Sequence, residues 1–306
     1  MKQRIIYMQM CFLLCLMLIH PVSAGQKLVI ELDPGHGGYD GGATAEWFGD
    51  TVYEKKLNLA IAKYLKEELE SYEGVEVKMT RTDDTYVSLD ARTDKVEKDE
   101  ADVMISLHNN ASGAISDYDN GCTVLTSHGR YKEKLAQEGM KLGSQILEEL
   151  SSVGPENQGI LQRTSETGTT YKNGELADYY HIIKKGVEGD YTAIIVEHAF
   201  VDHGVDYKQY LRTDGALKRL AVADAKGIAR YYGLHKKGES AMEPLVNVKE
   251  KITLVSNSNR TGSQISYETF YKTESDADTE GGYSGEQEKG IFSTLKSLWK
   301  RFLGGN

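Results

Sequence analysis

The sequence predicts an α/β protein: an open, largely parallel twisted sheet with helices on both faces, plus a low-complexity C-terminal tail. Three observations predict it. Short apolar runs at 28–32, 102–107 and 191–196 alternate with longer stretches of helical period, the pattern of strands joined by crossover helices. Three of these runs lead into a side chain able to hold a metal or move a proton: His36, His108 and Glu197. Beyond Lys236 large apolar residues become scarce while Ser, Thr, Glu and Gly dominate, a composition that reads as linker rather than core.

The first strand occupies 28–32 and breaks into Asp33-Pro34-Gly35-His36-Gly37-Gly38, where proline and glycine forbid further helix or strand. A histidine is thereby presented on a tight turn at the carboxyl end of a strand, where ligands collect in open α/β sheets. A second glycine-rich turn around 40–42 leads through a loop to Tyr53. Glu54 opens a helix marked by Leu57, Ala60, Ile61, Tyr64, Leu65 and Leu69. Gly74 closes it, 75–79 alternates as a strand, 81–84 is a turn and 89–98 a shorter helix.

The run 102–107 delivers His108, followed by Asn109 and Asn110. A strand at 122–126 feeds a long helix, 132–150, with Leu135, Leu142, Ile146 and Leu150 inward. After a break at 151–156 and a loop at 168–174, a helix is expected at 177–185 and a strand at 191–196 ending at Glu197. The closing helix, 214–232, carries Leu217, Leu220, Ala221, Ile228 and Ala229 on its apolar face.

The ends of the chain predict an address. Lys2 and Arg4 precede an apolar run at 5–19, and Val22-Ser23-Ala24 offers a small-residue cleavage site, so 1–24 reads as a secretory signal peptide. Leu14 before Cys15 lacks the small side chain of a lipoprotein site. Loss of the leader leaves Cys122 alone, a buried thiol in a protein without internal disulfides. The formal charge of -10 becomes -12 without Lys2 and Arg4, which argues against nucleic acid as partner. Four parts follow: the leader, a catalytic domain at 25–235, an acidic, polar linker at 236–289 and an amphipathic helix at 290–306. Within the linker, 252–255 and 265–271 have the makings of a weak hairpin. In the last part Ile291, Leu295, Leu298, Trp299 and Phe302 share one helical face, with Lys296, Lys300 and Arg301 toward the other. Residues 291–303 therefore suit a membrane surface, a protein partner or the protein's own surface.

Parallel strands bring their carboxyl ends to one edge, so His36, His108 and Glu197 should meet. Hydrolytic zinc typically takes three protein ligands; His36 and His108 supply the nitrogens, and Glu54 the oxygen because its helix must start near the first turn. Glu197 then suits the proton transfers. His198 points to the opposite face and is excluded as a ligand. His128, His181, His203 and His235 are expected at the surface or behind the ligands. Asp33 and Asp40 either orient the ligand imidazoles or cap turns. An H-E-x-x-H helix is absent, and Tyr39 occupies the place where a carboxypeptidase-like site would need Glu.

The motifs DPGHGGYDGGA, EKKLN from Glu54, SLHNNA around His108 and IIVEHAF around Glu197 resemble the zinc-dependent N-acetylmuramoyl-L-alanine amidases, bacterial cell-wall enzymes with an open α/β catalytic domain. The resemblance spans 28–234 and includes Arg81, Asp84, Leu89 and Arg92. It implies one zinc ion on His36, Glu54 and His108, Glu197 as acid/base, and cleavage between the lactyl group of muramic acid and L-alanine. The chain departs from the family pattern at Asn109, where Ala is common, and at Asp202-His203, where Asn is common. No insertion resembling the inhibitory helix of some septal members is present. The reading is a secreted, cell-wall-associated peptidoglycan hydrolase. A zinc peptidase acting on another wall amide and a catalytically silent wall-binding module are the alternatives.

Overall fold

The structure is a computed structural model and describes residues 27–113, 120–245, 250–257 and 265–272. The leader at 1–24, the acidic cluster at 274–280 and the amphipathic segment at 290–306 lie outside these residues. The expected α/β architecture is present. Strands β1 (Leu28–Pro34), β4 (Val75–Met79), β5 (Val103–Asn110), β6 (Cys122–Thr126), β7 (Asn157–Arg163), β8 (Thr192–Phe200), β9 (Glu250–Asn257) and β10 (Ile265–Lys272) form one eight-stranded sheet in the order β10-β9-β7-β6-β8-β5-β1-β4. The pairs β1–β4, β1–β5, β5–β8, β6–β7 and β7–β9 are parallel; β6–β8 and β9–β10 are antiparallel.

Helices α1 (Glu54–Leu69), α3 (Glu133–Ser152) and α5 (Asp214–Tyr232) cover one face through Ile61, Leu65, Leu142, Ile146, Leu220 and Ile228, all nearly or fully buried. Helices α2 (Leu89–Lys98) and α4 (His181–Gly189) cover part of the other, packing Val96, Ile182 and Ile183 on Met104, Leu125 and Ile195. Each buried Ile or Leu contributes roughly 1.5–3 kcal/mol relative to exposure, so most stability lies in these two layers. Thr213 caps α5 by accepting from Ala216 N, and Gly233 ends it in the left-handed region.

Several segments differ from expectation. The loop before Glu54 contains an antiparallel hairpin, β2 (Thr44–Trp47) and β3 (Asp50–Tyr53), pinned where Trp47 Nε1 donates to the Val201 carbonyl at 2.8 Å. Strand β7 was not expected, because only Ile160 and Leu161 are apolar in NQGILQR. Helix α4 starts at His181 rather than 177, and β8 runs on to Phe200. Within the expected linker at 236–289, the hairpin anticipated at 252–255 and 265–271 is present, and it is part of the sheet rather than separate from it. β9 lies parallel to β7 with Ile252, Leu254 and Val255 buried, and β10 pairs with β9 at the sheet edge. The sheet therefore extends past the boundary drawn at 235. The ladder that joins β9 to the sheet comes from β7, far away in sequence.

Candidate active site

Strand β1 ends in a turn that holds His36 at φ 62. The turn is tied on both sides. Gly35 N donates to the Leu107 carbonyl on β5 at 3.0 Å, and Arg92 Nη2 donates to the His36 carbonyl at 2.6 Å. Gly35 must be glycine, since a Cβ there would stand 2.2 Å from Cε1 of the His108 ring.

Glu54, the first residue of α1 and only 4% exposed, lies between the two histidines. Its Oε2 is 3.1 Å from His36 Nε2 and its Oε1 is 2.9 Å from His108 Nδ1. Three donors fix the carboxylate: Ala43 N at 2.8 Å, Asn58 Nδ2 at 3.0 Å and Asn109 N at 3.2 Å. Behind His36, Nδ1 donates to Asp40 Oδ2 at 2.9 Å, which leaves Nε2 directed at Glu54.

Burial alone would raise the Glu54 carboxyl, but hydrogen bonds and charge from His108 and His36 outweigh it and hold it well below the usual range. Burial opposes the charge on His36; the Glu54 and Asp40 carboxylates prevail and push it up to about 9. The donor atoms of His36, Glu54 and His108 lie within 4.8 Å of one another. Two imidazole nitrogens and a carboxylate, one imidazole braced by a carboxylate, make a donor set that fits zinc.

Glu197 sits on β8 in register with His108 on β5. Its Oε2 is sealed from solvent and meets no hydrogen-bond partner among the described residues. Burial, reinforced by the Glu54 charge and opposed by His108, raises its pKa to about 7.

The sequence-predicted set His36, Glu54, His108 and Glu197 is therefore brought together. Asp40 reaches an imidazole; Asp33 does not. Asp33 accepts from Thr80 Oγ1 at 2.6 Å, Ser106 Oγ at 2.7 Å and Arg92 Nη1 at 2.5 Å. It holds Arg92, which in turn holds the Pro34 and His36 carbonyls. A buried Asp between strands is satisfied by whichever donors the neighbouring strands present, and here these are not histidines.

His198 lies on the far face, as its position predicts. There its Nδ1 donates to the His108 carbonyl and its Nε2 meets Asp224 on α5, both at 2.8 Å. This brace behind His108 was not anticipated, because Asp224 reads as an ordinary helix residue. His203 and His128 are buried rather than superficial: His203 caps the turn at 204–206, and His128 Nε2 donates to the Leu176 carbonyl at 2.9 Å.

An open α/β sheet thus carries, at the carboxyl edge of its strands, a His–Glu–His donor set able to hold a metal ion, with Glu197 in register beside it, the arrangement of a hydrolase scaffold. Residues 30–230 match the family described as N-acetylmuramoyl-L-alanine amidase. The chain is 28% identical over 215 residues to a sporulation-specific N-acetylmuramoyl-L-alanine amidase of Bacillus subtilis, covering 70% of this chain and 71% of that protein. It is 47% identical over 106 residues to the probable cell wall amidase LytH of Staphylococcus aureus, 34% of this chain and about a third (32%) of that one. Among solved structures, an N-acetylmuramoyl-L-alanine amidase from Clostridium difficile 630 aligns with a TM-score of 0.54 and 26% identity, covering 68% of this chain and 97% of that one. The chain belongs to the N-acetylmuramoyl-L-alanine amidase family, hydrolases of the bacterial cell wall.

Proposed function

We propose that the chain hydrolyses the amide joining the lactyl group of N-acetylmuramic acid to L-alanine in peptidoglycan, with one zinc ion held by His36, Glu54 and His108. The observation that carries this reading is the convergence of those three donors within 4.8 Å, beside Glu197 in register with His108.

Zinc, when bound, polarises the scissile carbonyl and acidifies an attacking water toward neutrality. The remaining steps belong to the chain. Asp40 keeps the proton of His36 on Nδ1, and Ala43, Asn58 and Asn109 keep Glu54 from rotating. Glu197 takes the water proton as the new C–O bond forms. It returns that proton to the L-alanine nitrogen as the C–N bond breaks. A pKa raised to about 7 by burial suits a group that must do both near neutral pH.

The place of action follows from the substrate, which lies outside the cytoplasm. Among the described residues no helix is long and apolar enough to cross a membrane. We assign export to residues 1–24 and loose attachment to a membrane surface or partner to residues 291–303. Truncation at Gly290 should lower binding to anionic vesicles while leaving hydrolysis of soluble fragments intact; equal vesicle binding by both forms rules out the membrane role.

Digestion of purified walls followed by mass analysis tests the reaction. Stem peptides with a free L-alanine amino terminus, together with glycan strands that retain the lactyl group, are the expected products. Fragments cut within the stem peptide would identify a peptidase instead.

A further inference from the structure

Tyr39 is 83% exposed and stacks on Tyr86, itself 40% exposed, with ring centroids 4.3 Å apart and planes at 26°. No core requirement explains two aromatic rings at the surface, and exposed apolar patches commonly mark a binding surface. The pair is held rigidly. Gly38 N donates to Asp84 Oδ1 at 2.9 Å, and Lys55 Nζ donates to the Gly38 carbonyl at 2.6 Å and to Asp84 Oδ2 at 2.7 Å. Gly38 lies flush on the Tyr86 backbone: a Cβ there would stand 2.8 Å from Tyr86 N. The turn bearing Tyr39 and the loop bearing Tyr86 therefore form one preorganised platform.

That platform is joined to the proposed metal site. Gly37 and Asp40 bridge each other across the turn, and Asp40 is the partner of His36. Tyr39 follows His36 by three positions, so their Cα atoms are within about 11 Å. In the proposed substrate the scissile carbonyl carbon is three bonds from the muramic acid ring, about 4 Å away. A sugar ring carrying the amide must therefore lie near the metal site, within the range of these tyrosines.

Charge decides between sugar and stem peptide. The cations and carboxylates around the platform already have partners: Lys55 with Asp84, Asp40 with His36, and Arg81 with the carbonyls of Pro34, Gly35, Lys55 and Asp83. What remains is a neutral aromatic face, suited to the C–H face of an uncharged pyranose rather than to a charged peptide. Resting on the amidase reading, we propose that Tyr39 and Tyr86 form a glycan subsite on which an N-acetylated pyranose ring of the substrate strand stacks beside the scissile amide.

The test is titration of the zinc-loaded full chain with the β-1,4-linked tetramer of N-acetylglucosamine, which carries the ring chemistry without a peptide. Tyr39→Ala and Tyr86→Ala should each weaken binding about tenfold, whereas Tyr39→Phe, which keeps the ring, should stay within about twofold. Zinc content should match the unmodified protein. Undiminished tetramer affinity in Tyr39→Ala, or absence of tetramer binding by the unmodified protein, overturns the subsite. Loss of zinc together with affinity overturns it as well, since the effect would then run through His36. So does loss of affinity for a free stem peptide in place of the tetramer. If the unmodified protein bound the tetramer through Tyr39 yet released no lactyl-bearing glycan from walls, the amidase reading would fail and the subsite would stand.

Discussion

His108 and Glu197 are partners in register across the parallel β5–β8 pair, so their side chains project from the same face at the same level. One residue further on, His198 projects from the opposite face and reaches back to the His108 carbonyl. Of two adjacent residues on one strand, Glu197 is thus level with His108 on one face while His198 holds the His108 backbone from the other.

Glu197→Gln keeps the shape and removes the proton acceptor. Turnover should fall about 10²–10⁴-fold while the fold and the zinc content are retained. Steady-state rates on a muramoyl-peptide, with metal analysis of the same samples, check this; a near-normal rate would assign the base to another group.

Asp40→Asn should weaken zinc binding about 10–100-fold, the usual effect of removing a carboxylate behind a ligand imidazole, whereas His36→Ala should abolish it. Competition with a chromophoric chelator measures both. Equal affinities for Asp40→Asn and the unmodified protein would show that the 2.9 Å contact to His36 does not govern the metal.

These four central residues were legible in sequence for a physical reason. Strand ends are marked by local chemistry, an apolar run meeting glycine or a polar stop, and parallel strands must bring such ends together. Glu54 was legible because a crossover helix has to begin close to the strand it leaves. What could not be read depended on distant pairing. The resemblance marked Arg92, but its role is not readable until Asp33 is seen beside it, and the hairpin at 252–255 and 265–271 reads as weak and separate until β7 supplies the neighbour that joins it to the sheet.

Arg92 and Asp33 are 4% and 1% exposed. Burial would raise the Asp33 carboxyl, but the Arg92 charge and the hydrogen bonds from Ser106, Thr80 and Arg92 hold it below its ordinary value. Arg92→Leu leaves a buried carboxylate without its cation and should cost about 3–5 kcal/mol in urea unfolding. Asp33→Asn in the same chain should recover part of that loss, and strict additivity of the two changes would contradict the pairing.

Glu31 on β1 is fully buried, and no donor reaches either carboxylate oxygen among the described residues. Burial first, then repulsion from Asp99, raises its pKa from 4.5 to about 8 despite Lys95. The folded state therefore holds this proton more tightly than the unfolded chain. Its contribution is intact below about pH 4.5 and is lost progressively as pH rises toward 8. Glu31→Gln should be more stable than the unmodified protein at pH 9, by on the order of 1–3 kcal/mol. The gap should close toward pH 5. Urea titrations at the two pH values check the sign; a gap that stays constant would mean Glu31 does not titrate across this window.

Hydrolysis should depend on one zinc ion held by His36, Glu54 and His108. The most direct measurement combines elemental analysis with turnover on one preparation, before chelation, after chelation and after zinc is restored. One equivalent of zinc, activity abolished with its removal and recovered with its return, is the predicted result. Full turnover by the metal-free chain would contradict it.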